Sequence, residues 1–234
     1  MIYITGDTHG EKIRFVENNM GDDNWTSEDC LIVCGDFGYV FKNNTAENEF
    51  LDELEKTKPY TICFCDGNHE NFDALYKYPE VEKFGNTVHK IRENIFHLER
   101  GRIYTIEGKT FFTFGGAYSI DKAWRVAYNP DRSEDKPVLW WPQEIPNDEE
   151  YHRAADVLKA VNYKVDYIIT HTAPKEIILK MGKYPDAHDM QLTGFLEWIM
   201  FKVDFKHWYF GHWHISETFY DKYTAVYFDI HRIE

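Results

Sequence analysis

The chain has 234 residues, 43% of them hydrophobic and 17% aromatic, enough for a packed core in one large domain or two small ones. Its formal net charge of −14 disfavours a polyanionic partner such as duplex DNA, although a local basic patch is compatible with it. No apolar run approaches the roughly 20 residues of a membrane-spanning helix, which leaves no expectation of a membrane partner.

The opening MIYITGD lacks the charged and long apolar regions of an export signal and reads as a first core strand at 2–5. It stops at a turn that carries Asp7 and His9 between Gly6 and Gly10. A helical pattern follows at 11–20. The next strand-like run, 30–34, ends in GDFG at Asp36. A helix at 46–56 places Phe50, Leu51 and Leu54 on one face with acids around it. The run 60–65 ends in DGNHE, with Asn68 and His69. Cys30, Cys34, Cys63 and Cys65 lie in or beside these runs without C-x-x-C spacing. They read as reduced, buried small hydrophobes of a cytoplasmic protein.

The runs 102–106 and 110–114 look like an antiparallel hairpin. Residues 118–146, rich in Pro, Trp, Asp and Arg, show little periodicity; a loop this long is often functional, which makes it a candidate lid or substrate wall. A helix at 148–161 precedes a strand at 165–170 ending in THTAP at His171, and a helix at 192–203 precedes a strand at 207–210 ending in GHWH, with His212 and His214. A last strand-like run covers 223–230. Alternating strands and helices in the first half predict parallel β-α-β units, and the hairpins predict antiparallel pairs. Together they give an α/β chain, mixed with α+β features, of two packed mixed β-sheets flanked by helices.

Five apolar runs thus stop at Asp, Asn or His. In open α/β sheets ligands bind outside the carboxyl ends of strands, so these side chains could converge on one crevice. Asp, Asn and neutral His suit borderline divalent metals: manganese first, with iron, zinc, nickel or cobalt as alternatives. Seven candidates (Asp7, His9, Asp36, Asn68, His171, His212 and His214) are too many for one ion with an open position and about right for two sharing a carboxylate. Two such ions, roughly 3.5–4 Å apart, can clamp both the attacking and the leaving oxygen of a phosphoester displacement.

In order, GDTHG, GDFG, GNHE, THTAP and GHWH resemble the signature of the calcineurin-like metallophosphoesterase superfamily, from Asp7 to His214. The resemblance implies a metallophosphoesterase-type β-sandwich, here a single domain over 1–234. It implies that Asp7, His9 and His214 bind one metal, that Asp36 bridges, and that Asn68, His171 and His212 complete the second site. It further implies hydrolysis of a small phosphate mono- or diester by attack of a metal-bridging hydroxide, with Asp36 and His69 catalytic. His69 would meet the phosphate or protonate the leaving oxygen. Asp36 is followed by FGYVF and not by the Asp-Arg-Gly of protein Ser/Thr phosphatases. GNHE and GHWH look more like the bacterial and cyclic-nucleotide phosphodiesterase branches, and GGA followed by Asp and Arg is similar to bacterial and phage members.

Asp121 and Arg125 in GGAYSIDKAWR could grip a phosphate oxygen or form an ordinary loop salt bridge. Asn68, His69 and Arg125 are therefore the candidates for holding substrate. Trp140 and Trp141 read as packing for the long loop, with stacking on a base as the alternative. Glu70 completes GNHE as a residue that orients a ligand. His188 and the motif-free His89, His97, His152, His207 and His231 are left without a role. The rival readings are a metal-bound scaffold, which has no need of His69, and a nuclease, which the acidic charge disfavours.

Overall fold

The computed structural model describes residues 1–16, 18–133 and 136–233. The first half contains β1 (Ile2–Thr5), β2 (Cys30–Val33), α1 (Thr45–Thr57), β3 (Thr61–Phe64), α2 (Phe72–Leu75), β4 (Glu80–Lys83), β5 (Asn86–Arg92) and β6 (Ile95–Leu98). The second contains β7 (Arg102–Ile106), β8 (Lys109–Phe114), α3 (Lys122–Tyr128), α4 (Asp148–Ala160), β9 (Tyr167–Thr170), α5 (Lys175–Lys180), α6 (Met190–Lys202), β10 (His207–Phe210), β11 (Glu217–Phe219), β12 (Tyr223–Ala225) and β13 (His231–Ile233).

The strands form two mixed sheets. One runs β13-β1-β2-β3-β6-β5-β4 and the other β11-β12-β10-β9-β8-β7. β1, β2, β3 and β6 are parallel neighbours, as are β8, β9, β10 and β12. Period-two alternation explains how they stack. Ile2, Ile4, Cys30, Ile32, Cys34, Cys63 and Cys65 of the first sheet share one buried layer with Tyr104, Phe111, Tyr167, Ile169 and Tyr209 of the second. Leu31, Val33, Ile62 and Phe64 face the other way and pack with Phe50, Leu51 and Leu54 of α1. The second sheet's outer face is covered by α4, α5 and α6 through Leu158, Ile177, Ile178, Leu192, Leu196 and Ile199. The four cysteines are free thiols in this buried interior.

The helices begin where their sequences cap them. Asn44 accepts from the Glu47 amide at the start of α1, and Asn147 and Glu150 form a reciprocal capping box on α4. Three expectations differ from what is found. The helical pattern at 11–20 is realised only as a 3-10 turn at Lys12–Arg14; residue 17 lies outside the described residues. Arg14 there is buried, and its guanidinium donates to the Asp7, Gly6 and Tyr227 carbonyls, which draws the turn inward where a helix would expose it. Of the run 223–230 only Tyr223–Ala225 is a strand, β12, which pairs with β10 and β11; the chain then crosses to the first sheet, where β13, just beyond the run, pairs antiparallel with β1. Residues 80–98, where no element is expected, form β4, β5 and β6; polar and charged residues in β4 and β5 hide their alternation, and β6, IFHL, is buried throughout and shows none. Among the described residues, no helix is long and apolar enough to cross a membrane.

Candidate active site

The turns after β1, β2, β3, β9 and β10 meet. His9 N donates to the Asp36 carbonyl at 2.8 Å and Gly10 N to that of Phe37 at 3.0 Å, which zips the first turn to the second. Gly211 N donates to the His171 carbonyl at 2.9 Å and joins the two turns of the other sheet. Four non-glycine residues at these turns, His9, Asp36, His212 and His214, have φ of 49°, 48°, 67° and 49°. Such left-handed conformations cost on the order of 1–3 kcal/mol each and persist where surroundings impose them. The glycine before Asp36 has a steric reason: a Cβ on Gly35 would lie 2.2 Å from His171 Nδ1. The one before Asn68 has another, since a Cβ on Gly67 would lie 2.1 Å from Asp36 Oδ1.

Asp36 stands at the centre. Its Oδ1 accepts from the Asn68 and His69 amides, both at 2.8 Å, and lies 3.3 Å from His171 Nε2. Its Oδ2 faces His9 Nδ1 at 3.7 Å and His69 Nε2 at 3.9 Å. On one side, His9 Nε2 and His214 Nε2 are 2.8 Å apart, and His214 Nε2 is 3.2 Å from Asp7 Oδ2. On the other, Asn68 Oδ1 lies 3.1 Å from both His171 Nε2 and His212 Nδ1. All seven sequence-predicted candidates are thus brought together, with His69 among them.

The neighbours fix the donors' directions. His171 Nδ1 donates to the Cys34 carbonyl at 2.9 Å, which turns its Nε2 toward Asp36 and Asn68. Asn68 Nδ2 donates to Ser119 Oγ at 3.1 Å, and that hydroxyl donates to Glu144 Oε2 at 2.6 Å, so the amide oxygen faces the two imidazoles. Ser119 and Glu144 carry no motif, and sequence reading misses them; the only hint is that Ser119 lies in the GGAYSID stretch. Among the described residues, Glu70 makes no hydrogen bond to a candidate ligand's side chain. It accepts from Gly67 N at 2.7 Å and Gly38 N at 3.3 Å and braces the second turn against the third; burial and the nearby Asp36 charge push its carboxyl up to about 8.

The electrostatics call for positive charge. Burial would lower His171, but Asp36 and Asp7 outweigh it and lift the ring to about 10. Burial and then His171 hold His212 down to about 3. Asp7 Oδ2 is buried, and no donor among the described residues is aligned on it for a hydrogen bond. Two carboxylates, one of them with a buried oxygen left without a hydrogen bond, an amide oxygen and four imidazoles that converge fit divalent cations of the borderline class.

A cleft of about 710 Å³ opens over this cluster. Its walls include Tyr118, Ile120, Arg125, Lys183, Tyr184 and Trp213. The 118–146 segment supplies one side, and part of it is helical: Asp121 Oδ1 pairs with Arg125 Nε at 2.7 Å across one turn of α3. Arg125 also donates from Nη1 to the Asn68 carbonyl at 3.3 Å and from Nη2 to His69 Nε2 at 2.7 Å, so its salt bridge aims it at the site. Burial, and Arg125 among its neighbours, bring His69 down to about 4. Trp141 is buried, donates to Asp73 and packs on Phe41, in line with a packing role. His188 stacks on Tyr118 at the rim.

A family model of calcineurin-like phosphoesterases matches residues 1–216. No curated protein matches the sequence. Among solved structures, the chain is similar to the phosphopantetheinyl hydrolase of Mycobacterium tuberculosis, at 15% identity over 97% of this chain and 87% of that one, with a TM-score of 0.40.

Proposed function

The chain belongs to the calcineurin-like phosphoesterase family, and on that premise we propose that it is a dinuclear metal-dependent hydrolase of small phosphate mono- or diesters. One observation carries the reading: the Asp36 carboxylate offers Oδ1 to the His171 side and Oδ2 to the His9 side. Asp7, His9 and His214 would hold one cation and Asn68, His171 and His212 the other, with Asp36 shared. Manganese, or another borderline divalent ion, would supply Lewis-acid neutralisation of phosphate charge and a water of lowered pKa.

The protein's own residues do the rest. Arg125 and the Asn68 side of the cleft bind the phosphoryl oxygens. His69 is neutral before substrate arrives, with Nε2 accepting from Arg125. An entering phosphate draws the guanidinium onto its own oxygens and raises the affinity of the freed imidazole for a proton, which the ring takes up from solvent and then gives to the leaving oxygen. Lys183, Tyr184, Ile120 and Trp213 leave room for a leaving group with an apolar part.

The test is hydrolysis of p-nitrophenyl phosphate and bis-p-nitrophenyl phosphate by metal-stripped protein reconstituted with manganese, beside Asp36→Asn. Turnover that needs manganese and vanishes in the variant together with one or both bound ions is the expected result. The preferred ester assigns phosphatase or phosphodiesterase. Turnover by the stripped protein equal to that of the loaded one would overturn the reading.

A further inference from the structure

A second set of metal-ligating side chains lies on the first sheet, and it shares no residue with the Asp36 cluster. Strand register sets Glu80 of β4 opposite His89 of β5, and His89 opposite His97 of β6. Directly opposed residues project from the same face, and Glu99, two residues past His97, returns to it. Phe64 of β3 is opposite His97, so Asp66, two residues on, joins the row. The row lines a cleft of about 460 Å³.

Its hydrogen bonds run in one direction. Asp66 Oδ2 is ion-paired with Arg100, and Asp66 Oδ1 lies 3.2 Å from His97 Nε2. A carboxylate ion only accepts, so the His97 proton sits on Nε2. With that ring neutral, its Nδ1 accepts from His89 Nδ1 at 3.0 Å. His89 then carries its proton on Nδ1 and a lone pair on Nε2. This is the carboxylate–imidazole arrangement that orients metal-binding histidines, extended by one ring. His89 is only 6% exposed, and among the described residues its Nε2 has no hydrogen-bond partner; Glu80 Oε1 is 4.0 Å away. Glu99 Oε2 is taken by Arg102, but its Oε1 is buried without a partner. One ligand atom each from Glu80, His89 and Glu99 lie within 4.8 Å of one another. A tetrahedral zinc centre sets its ligands about 3.3–3.6 Å apart, from bonds of about 2.0–2.2 Å, and Glu80, 67% exposed, is free to swing inward.

We propose that His89 Nε2, Glu99 and Glu80 form an additional site for a divalent transition cation, Zn²⁺ by its donor set, with the fourth position open to the cleft. The bound ion would staple β4, β5 and the end of β6. His89 and His97 carry no sequence motif, since the site exists only through strand register.

The experiment uses the full chain, stripped of metal and dialysed against Zn²⁺, as wild type, Glu99→Gln and Glu80→Gln, with circular dichroism as the check on folding. Crystals of the wild type soaked in Zn²⁺ are measured at the zinc edge. An anomalous peak bonded to His89 Nε2, with Zn²⁺ affinity at this site at least about tenfold weaker in Glu99→Gln, is the expected outcome. The loss must add to that of Asp36→Asn in the double variant, which separates this site from the proposed phosphoester centre. No peak at His89 overturns the proposal. So does a peak there with unchanged Zn²⁺ binding in Glu99→Gln, which would mark an adventitious ion only.

Discussion

Asp36 shows how much a single carboxylate is made to do. Burial would favour its protonated form, yet His171 first, then His69 and His9, hold it well below the usual carboxylate range. Two backbone amides fix its orientation. The His69 ring beside it lies 3.9 Å from Asp36 Oδ2 and packs edge-on against His9 at a centroid separation of 4.8 Å, and among the described residues it makes no hydrogen bond to either. His69→Ala is therefore expected to keep its bound metal, measured by elemental analysis, and to lose about 10²–10⁴-fold in kcat on an unactivated ester. Full activity on such an ester would sink the role. Arg125→Lys keeps the charge but loses the fork that pairs with Asp121, Asn68 and His69 together, so KM should rise about tenfold or more. An unchanged KM would place the guanidinium outside the substrate site. Residue identities such as D-x-H and GNHE were legible in the sequence because the chemistry needs those side chains. Ser119 and Glu144 were not, because a serine and a glutamate become a brace only when the fold sets them against Asn68.

Elements meet at a few buried polar contacts, and two of these make predictions. Asp189, at the start of α6, accepts from Tyr118 N at 2.9 Å and ties the substrate-side segment to that helix. Burial, resisted by this bond, raises its carboxyl from 3.8 to about 6. A folded pKa above the unfolded one means that the folded state holds the proton more tightly. The stability this contributes is whole below about pH 4 and is lost as pH rises through 6. Asp189→Asn keeps the acceptor without the charge, so urea unfolding should show it gaining about 1–3 kcal/mol over wild type at pH 8, and little at pH 4. An equal gain at both would refute the cause. Arg100 and Asp66, each 1% exposed, pair where β6 leaves the first sheet, and Arg100 also reaches Glu150 of α4 and the Gln143 carbonyl. Burial works against both charges, but each holds the other: Asp66 stays at about 2. Arg100→Leu strands that carboxylate and should cost about 3–5 kcal/mol in urea unfolding; a loss below about 1 kcal/mol would mean the pair is dispensable.

At the scale of the molecule, the candidate site is a seam. Asp7, His9, Asp36 and Asn68 follow strands of one sheet, and His171, His212 and His214 follow strands of the other. Ions held there would bind the folded chain alone, so manganese at about 100-fold above its dissociation constant should add about 2.7 kcal/mol of stability per ion bound, read as a rise in Tm that chelator reverses. A Tm indifferent to manganese would argue against a shared site across the sheets. The ordered motifs and apolar runs of the sequence determined the family, the two-sheet architecture and the seven residues that converge, because strand ends that carry metal-type ligands leave a local signature. The sequence did not determine β4 and β5, whose polar residues mask their alternation, β6, which is buried throughout and has none, or the 3-10 turn that replaced a helix once Arg14 was drawn inward. Only the tertiary structure decided that Arg125 reaches His69, that Ser119 and Glu144 brace Asn68, and that Glu80, His89 and Glu99 face one another. Those are matters of register and packing between segments far apart in the chain, where no local pattern of residue types records which partner lies opposite.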